Sequence, residues 1–280
     1  MYSVLKNRHS HPRDNLIKFY NSGHKYEIST DKKTKYTSVT TWAHSHFPKF
    51  DADVVIANIF NGKNWGPGHK YWGMTAEQIK NSWKSTGTAA AGQGTSLHDR
   101  IERFMNDRRF TFAYTQKELC EIYKTDFKDK VDDQIEWEYF INFVSDHPDL
   151  KPYRTEWSIY DEDLKLAGSI DMVYENPDGT LAIYDWKRCK DIPKENSWNK
   201  FATNPLVGHL YDEKFWHYTL QLNTYRAIIE RKYGKVVSKL CLVKLHPESA
   251  NKNYEMLEVP MLDKEIDDLF TERLEQVKVN

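Results

Sequence analysis

The chain has 280 residues, 39% of them hydrophobic, with 40 Lys and Arg against 41 Asp and Glu and a net charge of −1. This suits a soluble globular protein with a sizeable core, and it excludes affinity for a polyanion through overall charge alone. Cys120, Cys189 and Cys241 are odd in number and scattered, which excludes a disulfide framework, a CxxC zinc site and a self-contained iron–sulfur cluster.

No stretch reaches the roughly 18 uncharged apolar residues of a membrane helix, and MYSVLKNRHSHPR lacks the apolar centre of a secretory signal. The expectation is an intracellular protein without a membrane partner. Charge is uneven along the chain: residues 1–50 hold nine Lys or Arg against Asp14, Glu27 and Asp31, whereas the stretch from about Asp126 to Asp163 is acidic. Two solvated faces or a local nucleic-acid surface both fit that distribution.

In chain order, KYEIST and KYTSVTTW flank TDKKT and predict a β-hairpin, and NGKNWGPGHKYWGMT predicts a loop. Thr75 with Gln78 has capping-box spacing and starts a helix to about Lys84. GTSLHDRIERFMND places Leu97, Ile101, Phe104 and Met105 at i, i+4, i+7 and i+8 after Gly94-Thr95-Ser96, so a second helix carries His98 in its first turn. Residues 133–144 form a further helix, ended before Pro148. The period then changes to short β-branched and aromatic runs, YRTEWSIYDE, LKLAGSIDMVYE and GTLAIYDWKR, the last two separated by Asn176-Pro177-Asp178-Gly179: three antiparallel strands. A helix over 212–233 has Phe215, Tyr218, Leu222, Tyr225 and Ile229 on one stripe and stops at Gly234. Strands at VVSKLCLVKL and YEMLEV and a helix from about Asp263 close the chain. The division is residues 1–150, a hairpin and helical portion contributing the GTSLH helix, and residues 151–280, a β-rich core, in one compact unit.

Side chains two apart on a strand share a face, so Leu181, Ile183, Asp185 and Lys187 point one way and Ala182, Tyr184 and Trp186 the other. A turn centred on Asp178 pairs residues whose numbers sum to 356, which sets Asp171 opposite Asp185; a bulge, or a turn centred half a residue earlier, moves the partner by one and flips the face. Like charges facing across a sheet are destabilising. Lys187 alone answers them in one reading; in the other a divalent cation takes carboxylate oxygens at that spacing, and an Asp/Asp pair beside a Lys becomes a phosphodiester-cleaving arrangement.

GTSLH, GSID, YDWK and QLNTY, in this order over about 130 residues, resemble the PD-(D/E)XK nucleases, and within them the RecB-like branch that includes the mitochondrial genome maintenance exonuclease and viral and phage relatives. YTSVTTW extends the likeness weakly to about residue 36. The resemblance implies an α/β (α+β) fold, a restriction-endonuclease-like core with a central mixed β-sheet flanked by helices. It implies that Asp171 and Asp185 are metal ligands joined by the Trp186 backbone carbonyl and by His98, that Lys187 is catalytic, and that Gln221 and Tyr225, i and i+4 on one helix face, reach toward the same site. Glu156 matches a position where the family often has an acid near the metal. Ile170 stands where the family name has proline, in the glycine-led form GSID. The cysteines that hold an iron–sulfur cluster in several relatives are missing, so no cluster is carried over.

The implied activity is a Mg²⁺- or Mn²⁺-dependent DNase, an exonuclease on single-stranded or frayed DNA ends. A structure- or sequence-selective endonuclease on the same core is the alternative, and a nucleic-acid-binding module without catalysis a third reading. Phe19, Tyr20, Tyr26, Tyr36, Trp42, Trp65 and Trp72 suit either a single-strand channel or core packing. Arg188 and Lys190 are placed to contact phosphate at the mouth of the site.

Overall fold

The computed structural model describes residues 3–107 and 134–279; Cys120 and the beginning of the acidic stretch at Asp126 lie outside them. A short helix α1 (Val4–Arg8) leads through a 3₁₀ turn to a hairpin of β1 (Ile17–Tyr20) and β2 (Lys25–Ile28). Ile17 pairs with Ile28 and Tyr20 with Lys25. The turn is therefore Asn21 to His24, not the predicted TDKKT, and Gly23 and His24 take the positive φ it needs. KYTSVTTW is a strand only at β3 (Thr37–Ser38); Val39–His44 is helix α2. The reason is local. Ser38 Oγ accepts the Thr41 amide at 3.0 Å, an N-cap, and Val39, Trp42 and Ala43 form a helical stripe that the β-branched run conceals.

After α3 (Ala52–Phe60), residues 61–75 run without helix or strand, as predicted. Then α4 (Ala76–Met105) spans 30 residues without a break, where the sequence predicts two helices. Its start is the expected capping box, with the Thr75 amide on Gln78 Oε1 and the Gln78 amide on Thr75 Oγ1. Ala89, Ala90 and Ala91 have the strongest helix propensity and carry Gly87, Gly92 and Gly94 through at a cost of about 1 kcal/mol each. Thr95 bonds back to the Ala91 carbonyl at 3.0 Å inside the helix instead of capping a new one. His98 thus sits in the final third of a long helix rather than in a first turn. Helix α5 (Gln134–Asp146) follows.

The remaining elements keep the predicted order: β4 (Lys151–Asp161), β5 (Leu166–Glu175), β6 (Leu181–Lys187), α6 (Lys214–Tyr233), β7 (Val237–Lys244), β8 (Glu255–Glu258) and α7 (Asp263–Val279). Gly179 at φ 82° closes the β5–β6 turn and Gly234 at φ 62° ends α6. Met172 faces Tyr184 and Glu175 faces Leu181, the predicted register. β4 runs antiparallel along one side of β5. On the other side β3 pairs in parallel with Leu166 and Ala167, and β6 pairs with Met172 to Glu175. Among the described residues, 168–171 have no ladder partner on that side, which leaves a notch in the sheet. β6 continues parallel to β7, and β7 antiparallel to β8, giving six strands of mixed direction.

One core packs α2, α6 and α7 against one face of the sheet through Trp42, Ile183, Leu222, Ile229 and Phe270. The other packs α1, the end of α4 and α5 against the opposite face through Leu5, Phe104, Phe140, Tyr184 and Trp186. This is the mixed α/β architecture of a restriction-endonuclease-like core. From the first 150 residues, β3, α2 and the end of α4 are built into the same layers.

Candidate active site

Alternation fails at one place on both β4 and β5. Thr155 and its partner Met172 face α4: Thr155 Oγ1 accepts Asn106 Nδ2 at 2.8 Å and Met172 belongs to the α4 and α5 core. Trp157 and its partner Ile170 belong to the opposite, α6 core. Residues two apart on regular strands share a face, so both strands change faces between these pairs, at Glu156 and Asp171. Glu156 takes φ 43° within its strand, a left-handed conformation that costs a non-glycine residue about 1 kcal/mol or more. The two carboxylates come to lie at the notch, within reach of helices on both faces.

From α4, His98 Nε2 lies 3.0 Å from the Trp186 carbonyl, and Nδ1 lies 3.8 Å from Glu156 Oε1 and 3.7 Å from Asp171 Oδ2. Asp171 Oδ2 accepts the Trp186 amide at 3.0 Å, and Ser169 Oγ donates to Glu156 Oε2 at 3.0 Å. Among the described residues, His98, Glu156 and Asp171 form a cluster whose ligand atoms lie within 4.8 Å of one another. Asp185 stands just beyond it, 2% exposed, with Oδ2 at 2.5 Å from Lys187 Nζ. From α6, Gln221 Nε2 lies 3.5 Å from both Asp185 Oδ1 and the Tyr225 hydroxyl, long contacts at the limit of hydrogen bonding. Lys187 Nζ also sits 4.3 Å from the centre of the Tyr218 ring, a cation–π contact.

Burial opposes charge on His98, but Asp171 and Glu156 outweigh it and lift its pKa to about 9. Burial raises the Asp171 carboxyl, with His98 opposing and Glu156 adding to the rise. Burial pushes Asp185 up to about 6 against the pull of Lys187, and the charge of Asp171 adds to it. Burial likewise opposes the Lys187 ammonium, and Asp185 and Asp171 more than compensate, holding it protonated. The sequence sets Lys187 against two facing aspartates, either alone or with a divalent cation. In the structure Lys187 is committed to Asp185, while Asp171 shares its field with His98 and Glu156.

These donors suit a hard divalent ion. Two carboxylates, a carbonyl and an imidazole are oxygen-rich, and adjacent ligands of an octahedral ion at about 2.1 Å stand about 3.0 Å apart. The 3.0 Å contact from His98 Nε2 to the Trp186 carbonyl has hydrogen-bond length, and it is Nδ1 that faces Glu156 and Asp171. Asp185 Oδ2 is buried and, among the described residues, has its ion pair with Lys187 but no well-angled hydrogen bond, so one lone pair remains for a cation.

Four contributors escaped the sequence reading. Ser169 holds Glu156, and Tyr218 covers Lys187. Tyr26, buried in the N-terminal hairpin, bonds the Ser169 backbone, and burial with the nearby Glu156 and Asp171 charges raises its pKa. Gly168 leaves space for Tyr225: a Cβ there would fall 2.5 Å from Tyr225 Cε1. A signal existed for Gly168 and Ser169, which are the first two letters of GSID, but none for Tyr26, whose strand is remote in sequence. Arg188 is already engaged within the chain. Its guanidinium is bound at 2.6 Å to the buried Glu136, because α5 packs a carboxylate directly over it. Lys190 is exposed and pairs with Glu248 at 3.0 Å. Tyr26, Tyr36 and Trp42 are core residues, while Tyr20 and Trp72 are exposed.

The sequence profile of the PD-(D/E)XK nuclease superfamily matches residues 71–279. Among solved structures, a candidate exonuclease from Eubacterium rectale is similar at 11% identity over 87% of this chain and 79% of its own, with a TM-score of 0.40. The SSO0001 protein is similar at 14% identity over 58% and 71%, with a TM-score of 0.26. No curated protein gives a significant match. Among the described residues no helix is long and apolar enough to cross a membrane.

Proposed function

Because the chain belongs to the PD-(D/E)XK nuclease superfamily, whose members generally use divalent metal ions, we propose that it is a Mg²⁺- or Mn²⁺-dependent deoxyribonuclease, an exonuclease on single-stranded or frayed DNA ends. The observation that carries the metal-dependent cleavage is the donor cluster of His98, Glu156 and Asp171 beside the buried Asp185–Lys187 pair. The preference for ends rests on the likeness of GTSLH and QLNTY to RecB-like exonucleases.

Asp171, Asp185, His98, the Trp186 carbonyl and Glu156 would hold the ion. When bound, it supplies Lewis-acid polarisation of the scissile phosphate and a more acidic water. Lys187, kept protonated by its two carboxylates, orients the attacking water and offsets the charge that develops on the phosphate. Gln221, backed by the Tyr225 hydroxyl, borders Asp185 from the α6 side, and Tyr218 limits where the Lys187 ammonium can swing.

The test is cleavage of end-labelled linear and closed circular DNA, single- and double-stranded, with Mg²⁺, Mn²⁺ or EDTA. Wild type should degrade linear single strands with metal and not with EDTA, and Lys187→Ala should lose activity by about 10²- to 10³-fold. Circular single strands cut as fast as linear ones would replace exonuclease by endonuclease. No cleavage of any substrate with either metal rejects the nuclease assignment.

A further inference from the structure

A cavity of about 270 Å³ opens beside Glu156, on the flank of the site formed by the N-terminal hairpin. Lys6 of α1, Lys18, Phe19 and Tyr20 of β1, and Arg154 of β4 share its lining with Glu156. Its volume is just under the roughly 300 Å³ at which sites for drug-sized ligands begin, room for one nucleotide and not for a base pair.

The chemistry of the wall is that of a phosphate with a base attached. Lys6 and Lys18 have no ion-pair partner among the described residues, whereas Arg13, next to Asp14 in the chain, is held by Glu162. Arg154 is 3% exposed, and its buried Nε has no acceptor among the described residues. The Asp14 carboxylate in the same wall is already occupied by the Arg154 guanidinium, the Trp157 indole and the His11 amide. The free charge facing the cavity is therefore cationic, apart from Glu156 at the metal cluster. Tyr20 is 43% exposed at the end of β1, and Phe19 packs at 4.8 Å on Tyr26, which continues to the Ser169 backbone inside the site.

We propose that this cavity is a subsite for the nucleotide next to the scissile phosphate of a single strand, with Lys6 and Lys18 on its phosphate and Tyr20 against its base. The proposal rests on the nuclease assignment and adds what that assignment lacks, a reason for single strands to be preferred: a paired base has no room.

Binding is read in full-length Asp185→Asn protein, with Mg²⁺, from the anisotropy of an internally labelled short single strand over a range of salt. Lys6→Ala with Lys18→Ala should weaken binding about tenfold and flatten the slope of log affinity against log salt by about 1.4, two contacts at about 0.7 each. Tyr20→Ala should weaken it about fivefold or more with the salt slope unchanged. A deoxynucleoside monophosphate should displace the strand from the parent and not from the double-lysine variant, and Lys264→Ala on α7 should change nothing. Equal affinity and slope in parent and double-lysine variant overturn the subsite. Wild-type cleavage of the same strand separates the two levels: cleavage with unchanged affinities removes the subsite alone, and absence of cleavage with Mg²⁺ or Mn²⁺ removes the nuclease assignment and the subsite with it.

Discussion

Gly168→Ala puts a methyl group 2.5 Å from Tyr225 Cε1, 3.1 Å from its hydroxyl oxygen and 3.2 Å from Cζ. Carbon atoms in contact sit about 3.5–4.0 Å apart, so the ring must retreat by about 1 Å. It has nowhere easy to go. Tyr225 is 3% exposed, and Leu222, Ile228 and Ile229 fill the core around it. Overpacking of this kind costs about 1–3 kcal/mol, and each kcal/mol lowers Tm by about 2–4 °C in a chain of this size. The hydroxyl is 3.5 Å from Gln221, itself 3.5 Å from Asp185, and a displacement of about 1 Å breaks that chain. A misplacement on that scale can cost about 10²-fold in rate. The assay is thermal denaturation paired with single-turnover cleavage of a linear single strand. Adding Tyr225→Leu to Gly168→Ala should restore much of the stability and none of the activity, whereas Tyr225→Phe alone should leave stability nearly unchanged. Gly168→Ala indistinguishable from wild type in both Tm and rate would refute the reasoning.

Other outcomes follow from the same contacts. Asp14→Ala strands the buried Arg154 and should cost about 3–5 kcal/mol by chemical denaturation. Burial opposes the Asp14 charge, but Arg154, the His11 amide and Trp157 hold its pKa below 3.8; its stabilisation is therefore complete above that pH and lost as pH falls through the lower folded value, a component that acid titration of Asp14→Ala should lack. Arg188→Ala leaves Glu136 buried and unpaired and should destabilise by about 3–5 kcal/mol, with DNA affinity measured well below Tm unchanged; a selective loss of affinity would restore the phosphate-contact reading. Asp185→Asn should abolish cleavage while DNA binding holds or tightens through lost repulsion, and retained cleavage by that variant would count against the site as assigned.

The hairpin register was legible because Asn176 to Gly179 is a turn with one centre, and everything from β4 to α7 followed in order. Period alone failed wherever a neighbour overrode it. Gly94-Thr95-Ser96 has the composition of a helix start, but the alanines before it keep the backbone helical. Val39-Thr40-Thr41 has the composition of a strand, but the Ser38 cap wins. In the site, the residue types were readable from motif order, and their partition was not. That Lys187 serves Asp185 while His98 and Glu156 serve Asp171 depends on the two strands changing faces at Glu156 and Asp171, and no local pattern announces a left-handed glutamate inside TEWSIY. Tyr26 was unreadable for a different reason: it reaches the site through the packing of a separate hairpin.

Helix α4 also behaves as a ruler. Residues 84–93 are all exposed, about 15 Å of rod at 1.5 Å per residue, between a start anchored by buried Ile79 and the Trp83 indole on the Tyr71 hydroxyl and an end anchored by Leu97 and Ile101 beside His98. Any side chain that keeps the helix can occupy the span. One residue added or removed there, however, turns the Trp-rich loop by about 100° relative to His98. The identity of these residues is free to drift, and their number is not.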